Sequence, residues 1–409
     1  MRHLTRRLNG RFATRLGRGA GFMLLLVCAS LAIMLQQAAP AGNDALDDVS
    51  VSVQLTVGRS PVNVALPSGA SLLSTVKCGP GEPADTSDAA TSFSVEARGS
   101  SLILNGKNAR TSRIAVESND GVVIVNDNRY RGRIEVEAAS GRVLVANVLP
   151  LSSYLASVLG AEMPDDAPLE ALKAQSVISR SYIIHRMIAE NASYPPVCDS
   201  IFSQVYKGVS SERPSSVEAV QATAGLVLTW NGAPIDACFS ASSGGYTASA
   251  KDVWDTSVPY LIGKSDPFSE GGEYAQWKLE LTADECERLL RKAGRDVGEL
   301  HEIVVSKADK SRRASRVALK GGKARITMRG TDLRLCFGTR RLRSTMFEVE
   351  RTPLGFVFRG KGYGHGVGLS QEGACRMAQA GYSFERILHF YYTGVRLEQY
   401  SARPEQQGR

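Results

Sequence analysis

EMPDDAPLEALKAQSVISRSY, residues Glu162 to Tyr182, decides how this chain is read. Asp165 and Asp166 suit the positive end of a helix, and Pro168 suits a first turn, where its missing N–H is no loss. Leu172, Ser176, Ser179, Ile183 and Met187 then recur at steps of three and four. The spacing predicts a helix from about Asp166 to Glu190, and Val177, Ile184 and Ile188 widen its apolar surface enough to make it central to its domain. Glu162 precedes the helix, flanked by Ala161, Met163 and Pro164, a setting that desolvates a carboxyl and raises its pKa. A carboxylic acid kept protonated near neutral pH can give its proton to a glycosidic oxygen. Lys173 and Arg180 are seven residues apart, so they share a helix face. A lone charge there would read as solvated; two cations on an otherwise apolar helix, beside that acid, read as functional.

Upstream of this stretch, residues 43 to 148 alternate in short apolar and polar runs such as SVSVQLTV, SLILNG and RVLVANVL. Period-two alternation with Gly, Asn and Asp between the runs predicts a β-rich N-terminal region. Gly79 to Ser92, rich in Gly, Pro, Asp, Ser and Thr, reads as a loop. A short helix is expected over Ser152 to Leu159. Downstream, another is expected over Ser215 to Ala224, then a hairpin at Asn231-Gly232. Residues 278 to 350 read as an inserted α+β block, with a helix near Thr282 to Ala293 and strands near Glu302 to Ser306, Arg316 to Leu319 and Ala324 to Met328. Its cations (Lys307, Lys310, Arg312, Arg313, Arg316, Lys320, Lys323, Arg325) read first as a solvated surface and second as a contact for wall polymer. The expected architecture is α+β: a β-rich region over 43–148, a mixed α/β catalytic core over 149–277 and 351–400 with a central long helix, and the subdomain inserted between the two parts.

The chain has 409 residues, 49 Lys and Arg against 41 Asp and Glu, and a formal charge of +8. Apolar content of 43% excludes a disordered chain. The excess charge sits at the front. Residues 1–41 hold Arg2, Arg6, Arg7, Arg11, Arg15 and Arg18, no acid, then the apolar run Ala20 to Leu35 and Ala39-Pro40-Ala41. That order reads as a signal peptide, with an uncleaved membrane anchor as the other reading, so the protein is expected to be exported to the cell envelope. Subtracting the six arginines leaves 43 bases against 41 acids, +2, and no case for nucleic acid. Six cysteines follow the segment at wide, irregular spacings that give no pairing. With neither C-x-x-C nor H-E-x-x-H, no metal or cofactor is expected from spacing.

Two further stretches carry chemistry. QVYKG, Gln204 to Gly208, is followed by ASSGGYT, Ala241 to Thr247, whose Ser242, Ser243 and paired glycines suit close approach of a ligand as well as a plain loop. GKGYGHGVGLSQEGA, Gly360 to Ala374, places Gly362, Gly364, Gly366 and Gly368 at alternate positions. It is neither a P-loop nor a dinucleotide cradle. The tight path brings His365, Ser370 and Gln371 toward one site. A hydrolase pairing Ser242 or Ser243 with His365 is a poor fit, because no G-x-S-x-G elbow is present.

In this order the stretches resemble the stage II sporulation protein D and LytB (amidase-enhancer) family. The resemblance rests on Tyr154-Leu155, Glu162-Met163-Pro164, Glu170 to Gln175, Gln204-Val205-Tyr206, Ser242 to Gly245, Val253-Trp254, Pro259 to Leu261, Leu342 to Phe347, Gly364 to Gly368, Ser370-Gln371, Gly373-Ala374, Ile387-Leu388 and Tyr391-Tyr392. It implies action on peptidoglycan, as a lytic transglycosylase of peptide-stripped glycan strands, with the family's catalytic glutamate falling on Glu162 and its important lysine and arginine on Lys173 and Arg180. Gln204, Tyr206, Ser242, Ser243, His365, Ser370 and Gln371 are the further substrate-binding candidates. Some members hold zinc through a CxxxxCQVY segment; here Cys198 matches but Ser203 replaces the second cysteine, so that site is absent or altered. The alternative is a non-catalytic peptidoglycan-binding enhancer that stimulates a partner cell-wall amidase. Lys173 and Arg180 are further expected to pair with the lactyl carboxylate that stem-peptide removal frees.

Overall fold

The computed structural model describes residues 49–58, 60–67, 72–77, 91–189, 197–200 and 203–400. The expected export segment at 1–41, Cys78 and nearly all of the expected loop from Gly79 lie outside the described residues. Among those that are described, no helix is long and apolar enough to cross a membrane.

Period-two alternation forms two six-stranded sheets. One runs in the order Val197–Cys198, Ser50–Leu55, Arg142–Pro150, Arg133–Ala139, Arg113–Ser118, Leu72–Lys77. The other runs Lys107–Asn108, Ser101–Leu104, Ser92–Arg98, Val62–Ala65, Val122–Val125, Asn128–Arg131. They pack face to face, since Ser92–Arg98 contacts both Arg142–Pro150 and Arg133–Ala139. Val51, Val53, Val95, Val123, Ile134 and Val136 are buried between them. The last long strand, Arg142–Pro150, runs directly into α1 (Leu151–Glu162), so the expected boundary at 148 falls inside an element. One apolar core extends from Val51 through Tyr154, Ile178 and Leu228 to Tyr392.

Helix α2 (Leu169–Ala189) lies at the centre, against α1, α3 (Pro214–Ala222), α7 (Gln371–Gln379) and α8 (Phe384–Tyr391). It starts three residues later than its acids suggest. The Pro168 carbonyl accepts from Ala171 and Leu172 N–H, Glu170 is the acid of the first turn, and Asp165 instead pairs with Arg213. The hairpin forms as expected. Thr229 pairs with Pro234 and Trp230 with Ala233, while Asn231 and Gly232 both take positive φ, 50° and 77°, as a type I′ turn requires.

The block after Ser269 has its own core of Trp277, Leu281, Leu290, Val317, Leu319, Phe337, Phe347, Phe356 and Phe358. It contains the expected helix, α5 (Ala283–Lys292), capped by Thr282, and a meander of Leu300–Ala308, Ala314–Gly321 and Arg325–Arg329. Two parts were not expected: α6 (Gly330–Phe337), and the strands Phe347–Thr352 and Trp277–Thr282 that flank Gly355–Gly360, the first as its hairpin partner. That hairpin straddles the expected boundary at 350. Ahead of the block stands α4 (Ala250–Trp254), capped by Ser249, whose hydroxyl accepts from Asp252 N–H.

Candidate active site

Glu162 is the last residue of α1. The negative end of a helix disfavours a carboxylate, and α1 holds its end rigidly. Arg213 donates to the Gly160 carbonyl at 2.6 Å and to the Met163 carbonyl at 3.3 Å, satisfying the open end of the helix. Gly160 itself touches the turn Gly208–Ser211 so closely that a Cβ there would strike the Ser211 carbonyl. The turn brings the QVYKG segment alongside α1. Its residues alternate: Gln204 and Tyr206 face inward, with Tyr154 Oη donating to Gln204 Oε1 at 2.9 Å and Tyr206 Oη to Asn147 Oδ1 at 2.6 Å. Tyr154 and Tyr206 stack with centroids 5.5 Å apart. Pinned on that side, the segment presents Val205 N–H to Glu162 Oε1 at 2.7 Å. The pKa of Glu162 is raised by burial, against the opposing pull of Val205 N–H, the Gln371 amide and the Lys207 charge.

The carboxyl lines a cleft of about 510 Å³. One wall comes from α2 and the segment after the hairpin: Tyr182, Arg186, Asp236, Cys238 and Ser240. The later part of the chain completes the lining with Trp254, Arg334, Thr339, Arg340, Tyr363 and His365, and Tyr363 pairs directly with Ser242. Asp236 is a second carboxylate here, and its Oδ1 is buried with no hydrogen-bond partner. The Cys238 thiol is pushed well up by burial and by Asp236, so it stays protonated. Trp254 is 42% exposed and its ring lies against His365, centroids 5.1 Å apart, offering an indole face.

His365 accepts the Val367 N–H on Nδ1 at 3.0 Å. Burial first, then Arg334 and Arg313, push its pKa down to about 4, so it is neutral at pH 7. Its loop bends because Gly364, Gly366 and Gly368 take φ of 110°, 78° and 75°, and a Cβ on Gly366 would meet the Arg313 guanidinium. Arg313 belongs to the inserted block and was expected in solvent. It is instead 1% exposed, because Nη1 donates to the Tyr246 carbonyl at 2.8 Å and Nη2 to that of Ser243 at 2.7 Å. These bonds fasten the ASSGGYT loop to the insert.

Of the ten expected site residues, Glu162, His365 and Gln371 line the cleft. Lys173 and Arg180 do share a face, but it is the wrong one for the expected pairing with a lactyl carboxylate. Lys173 Nζ meets Glu170 Oε1 at 2.7 Å and lies over the Phe384 ring; Arg180, 2% exposed, donates to the Leu226 and Val220 carbonyls. At 100° per residue they stand opposite Tyr182 and Arg186, the residues of α2 that reach the cleft. Ser242, Ser243 and Ser370 are buried structural donors and acceptors. Ser242 Oγ donates to Glu372 at 2.7 Å and Ser243 Oγ to Asp266 at 2.6 Å, while Ser370 caps α7 by accepting from Gly373 N–H. The hydrolase pairing therefore has its serine hydroxyl committed to Asp266 and its imidazole Nδ1 to Val367. Ser203 Oγ stands 3.4 Å from Cys198 Sγ, in the place of the second cysteine. Among the described residues no group of three or more His, Cys, Asp or Glu is placed to hold a metal, and Cys198, Cys238, Cys286, Cys336 and Cys375 are free thiols.

The sequence has relatives. The stage II sporulation protein family model matches residues 139–230, and a domain of unknown function matches 248–368. Stage II sporulation protein D of Bacillus subtilis is 31% identical over 278 residues, covering 62% of this chain and 76% of that protein. An uncharacterised protein of Brachyspira hyodysenteriae is 33% identical over 290 residues, 70% of this chain and 77% of the other. The amidase enhancer of B. subtilis is 31% identical over 291 residues, which is 60% of this chain and 40% of that longer protein. The chain belongs to the stage II sporulation protein D and LytB (amidase-enhancer) family.

Proposed function

We propose that the chain acts in the cell envelope as a peptidoglycan lytic transglycosylase, with Glu162 as general acid and then general base. The observation that carries this is the desolvated carboxyl of Glu162, held at a helix C-terminus with one oxygen on Val205 N–H, in a cleft large enough for sugar rings. Protonated Glu162 gives its proton to the glycosidic oxygen, and the C1–O bond breaks toward an oxocarbenium-like centre. The muramic C6 hydroxyl then bonds to C1, delivered intramolecularly at high effective molarity, and its proton returns to Glu162. The products are a 1,6-anhydro end and a free 4-hydroxyl; no water enters. Trp254 offers a sugar ring an apolar face, and Asp236 lines the same cleft.

The test is digestion of peptide-free glycan by the wild type and by Glu162→Gln, with mass detection of ends. Anhydro ends from the wild type alone are expected. Hydrated reducing ends would instead implicate water activated by Asp236, since two carboxyls in one cleft are the equipment of a hydrolase. A second reading is favoured by the match to the amidase enhancer: glycan binding without cleavage, with a cell-wall amidase as partner. Absence of any product with retained glycan binding would select it.

A further inference from the structure

The meander of the inserted block has two faces. Val317, Leu319 and Met328 point into the second core, so Arg316, Ala318 and Lys320 stand on the other side. The register sets Lys307, Arg316 and Arg329 abreast across three strands, and Lys320 beside Arg325. All five are exposed, and Lys310 and Arg312 extend the array at the hairpin turn. Strands about 4.8 Å apart and residues about 3.3 Å apart along each strand make this a two-row lattice of cations. Like charges directly opposed weaken a sheet. Arg329 pairs with Asp332 at 3.1 Å, whereas Lys307, Arg316, Lys320 and Arg325 have no acid within ion-pair distance among the described residues. Glu302, across from Lys320, is the acid of this face, and the row between is Val304, Ala318 and Thr327.

The lattice adjoins the cleft. Arg329 lies close enough to Asp255 to feel its charge, and Asp255 follows Trp254 of the cleft wall. A cleft of about 510 Å³ holds only part of a polymer, and the rest must leave over a rim. We infer that this face binds the continuation of a peptide-free glycan strand, its cation rows meeting carboxylates that recur along the strand. The inference rests on peptidoglycan being the polymer in the cleft. A flat array with an uncharged middle row suits an extended chain of spaced anions better than one compact anion.

The test uses the full chain carrying Glu162→Gln, so that binding is read without turnover. Arg316→Glu, Lys320→Glu and Arg325→Glu are added together, all on exposed side chains outside the cleft, and thermal melts verify the fold. Binding to long peptide-stripped strands is expected to weaken about tenfold or more at low salt and to lose most of its salt dependence. A fragment filling only the cleft should bind as before. Unchanged binding of long strands, or an equal loss for the short fragment, overturns the inference. So does a wild type that binds phosphatidylglycerol vesicles through these residues and long glycan without them. Failure of the lytic reading would show separately, as missing anhydro ends from the catalytically intact chain.

Discussion

Acidification should destabilise this protein through His365 by an amount the structure fixes. The ring accepts the Val367 N–H on Nδ1, so its one proton sits on Nε2 and a second would break that bond. It would also place a charge near Arg334 and Arg313, on a ring that is already desolvated. The folded pKa of about 4 lies below the ordinary 6.5. Unfolded chains therefore bind a proton first as pH falls, and native stability is complete above 6.5 and lost progressively down to about 4. At about 1.4 kcal/mol per decade, the difference at pH 4.5 is about 2.5 kcal/mol. Urea unfolding of the wild type and His365→Gln at pH 7.5 and 4.5 isolates this contribution, because other titrating groups act equally on both. The wild type should lose about 2.5 kcal/mol more than the variant across the interval. Parallel losses, or a ring that titrates near 6.5 by NMR, would refute the reasoning.

Other perturbations follow from named contacts. Glu162→Gln should abolish turnover yet raise the melting temperature at neutral pH: a carboxyl with a raised folded pKa contributes stability only while protonated, so the gain should shrink as pH falls toward the unfolded value. Lys207→Ala removes a charge that favours ionised Glu162, so the alkaline limb of the pH–rate profile should move to higher pH. Arg313→Ala strands two buried carbonyls and should cost about 2–5 kcal/mol in denaturant unfolding, a loss that Arg313→Lys recovers at most in part.

The elements that could be read from the sequence are those whose cause is local. Helix α2 follows from its period and the hairpin from Asn231-Gly232, because each needs only neighbours in the chain. Helix α6 escaped because it spans only Gly330–Phe337 and buries only Leu333 and Phe337 among its apolar side chains, too few for a period. Arg313 escaped for a different reason. Its burial is decided by carbonyls of Ser243 and Tyr246, about seventy residues earlier, and a run of basic residues carries no trace of them. The same limit explains Lys173 and Arg180. Helical spacing says which residues share a face; it does not say which neighbour that face meets. Glu162, His365 and Gln371 were legible because an acid among apolar residues, or a polar side chain in a glycine loop, has little else to do. Ser242, Ser243 and Ser370 look the same in one dimension, and only Glu372, the buried Asp266 and the Gly373 N–H turn them into scaffold.

The earlier and later parts of the cleft lining divide the work. Glu162, Val205 and Asp236 stand on α1, its companion segment and the stretch after the hairpin, all built on the main core. Trp254, Arg334, Arg340 and His365 come from later in the chain. Arg334 is held by the Leu342, Arg343 and Thr339 carbonyls, which fixes the backbone around Arg340 while leaving Arg340 itself exposed. An exposed cation lining the cleft can hold an anionic group of the substrate equally in the ground and transition states. Binding of that kind changes KM and leaves kcat alone. Arg340→Ala should therefore raise KM for peptide-free glycan roughly threefold to tenfold, the range of a partly solvated charge-assisted bond, with kcat and its pH profile unmoved. A fall in kcat with unchanged KM would place Arg340 on the reacting atoms and erase that division.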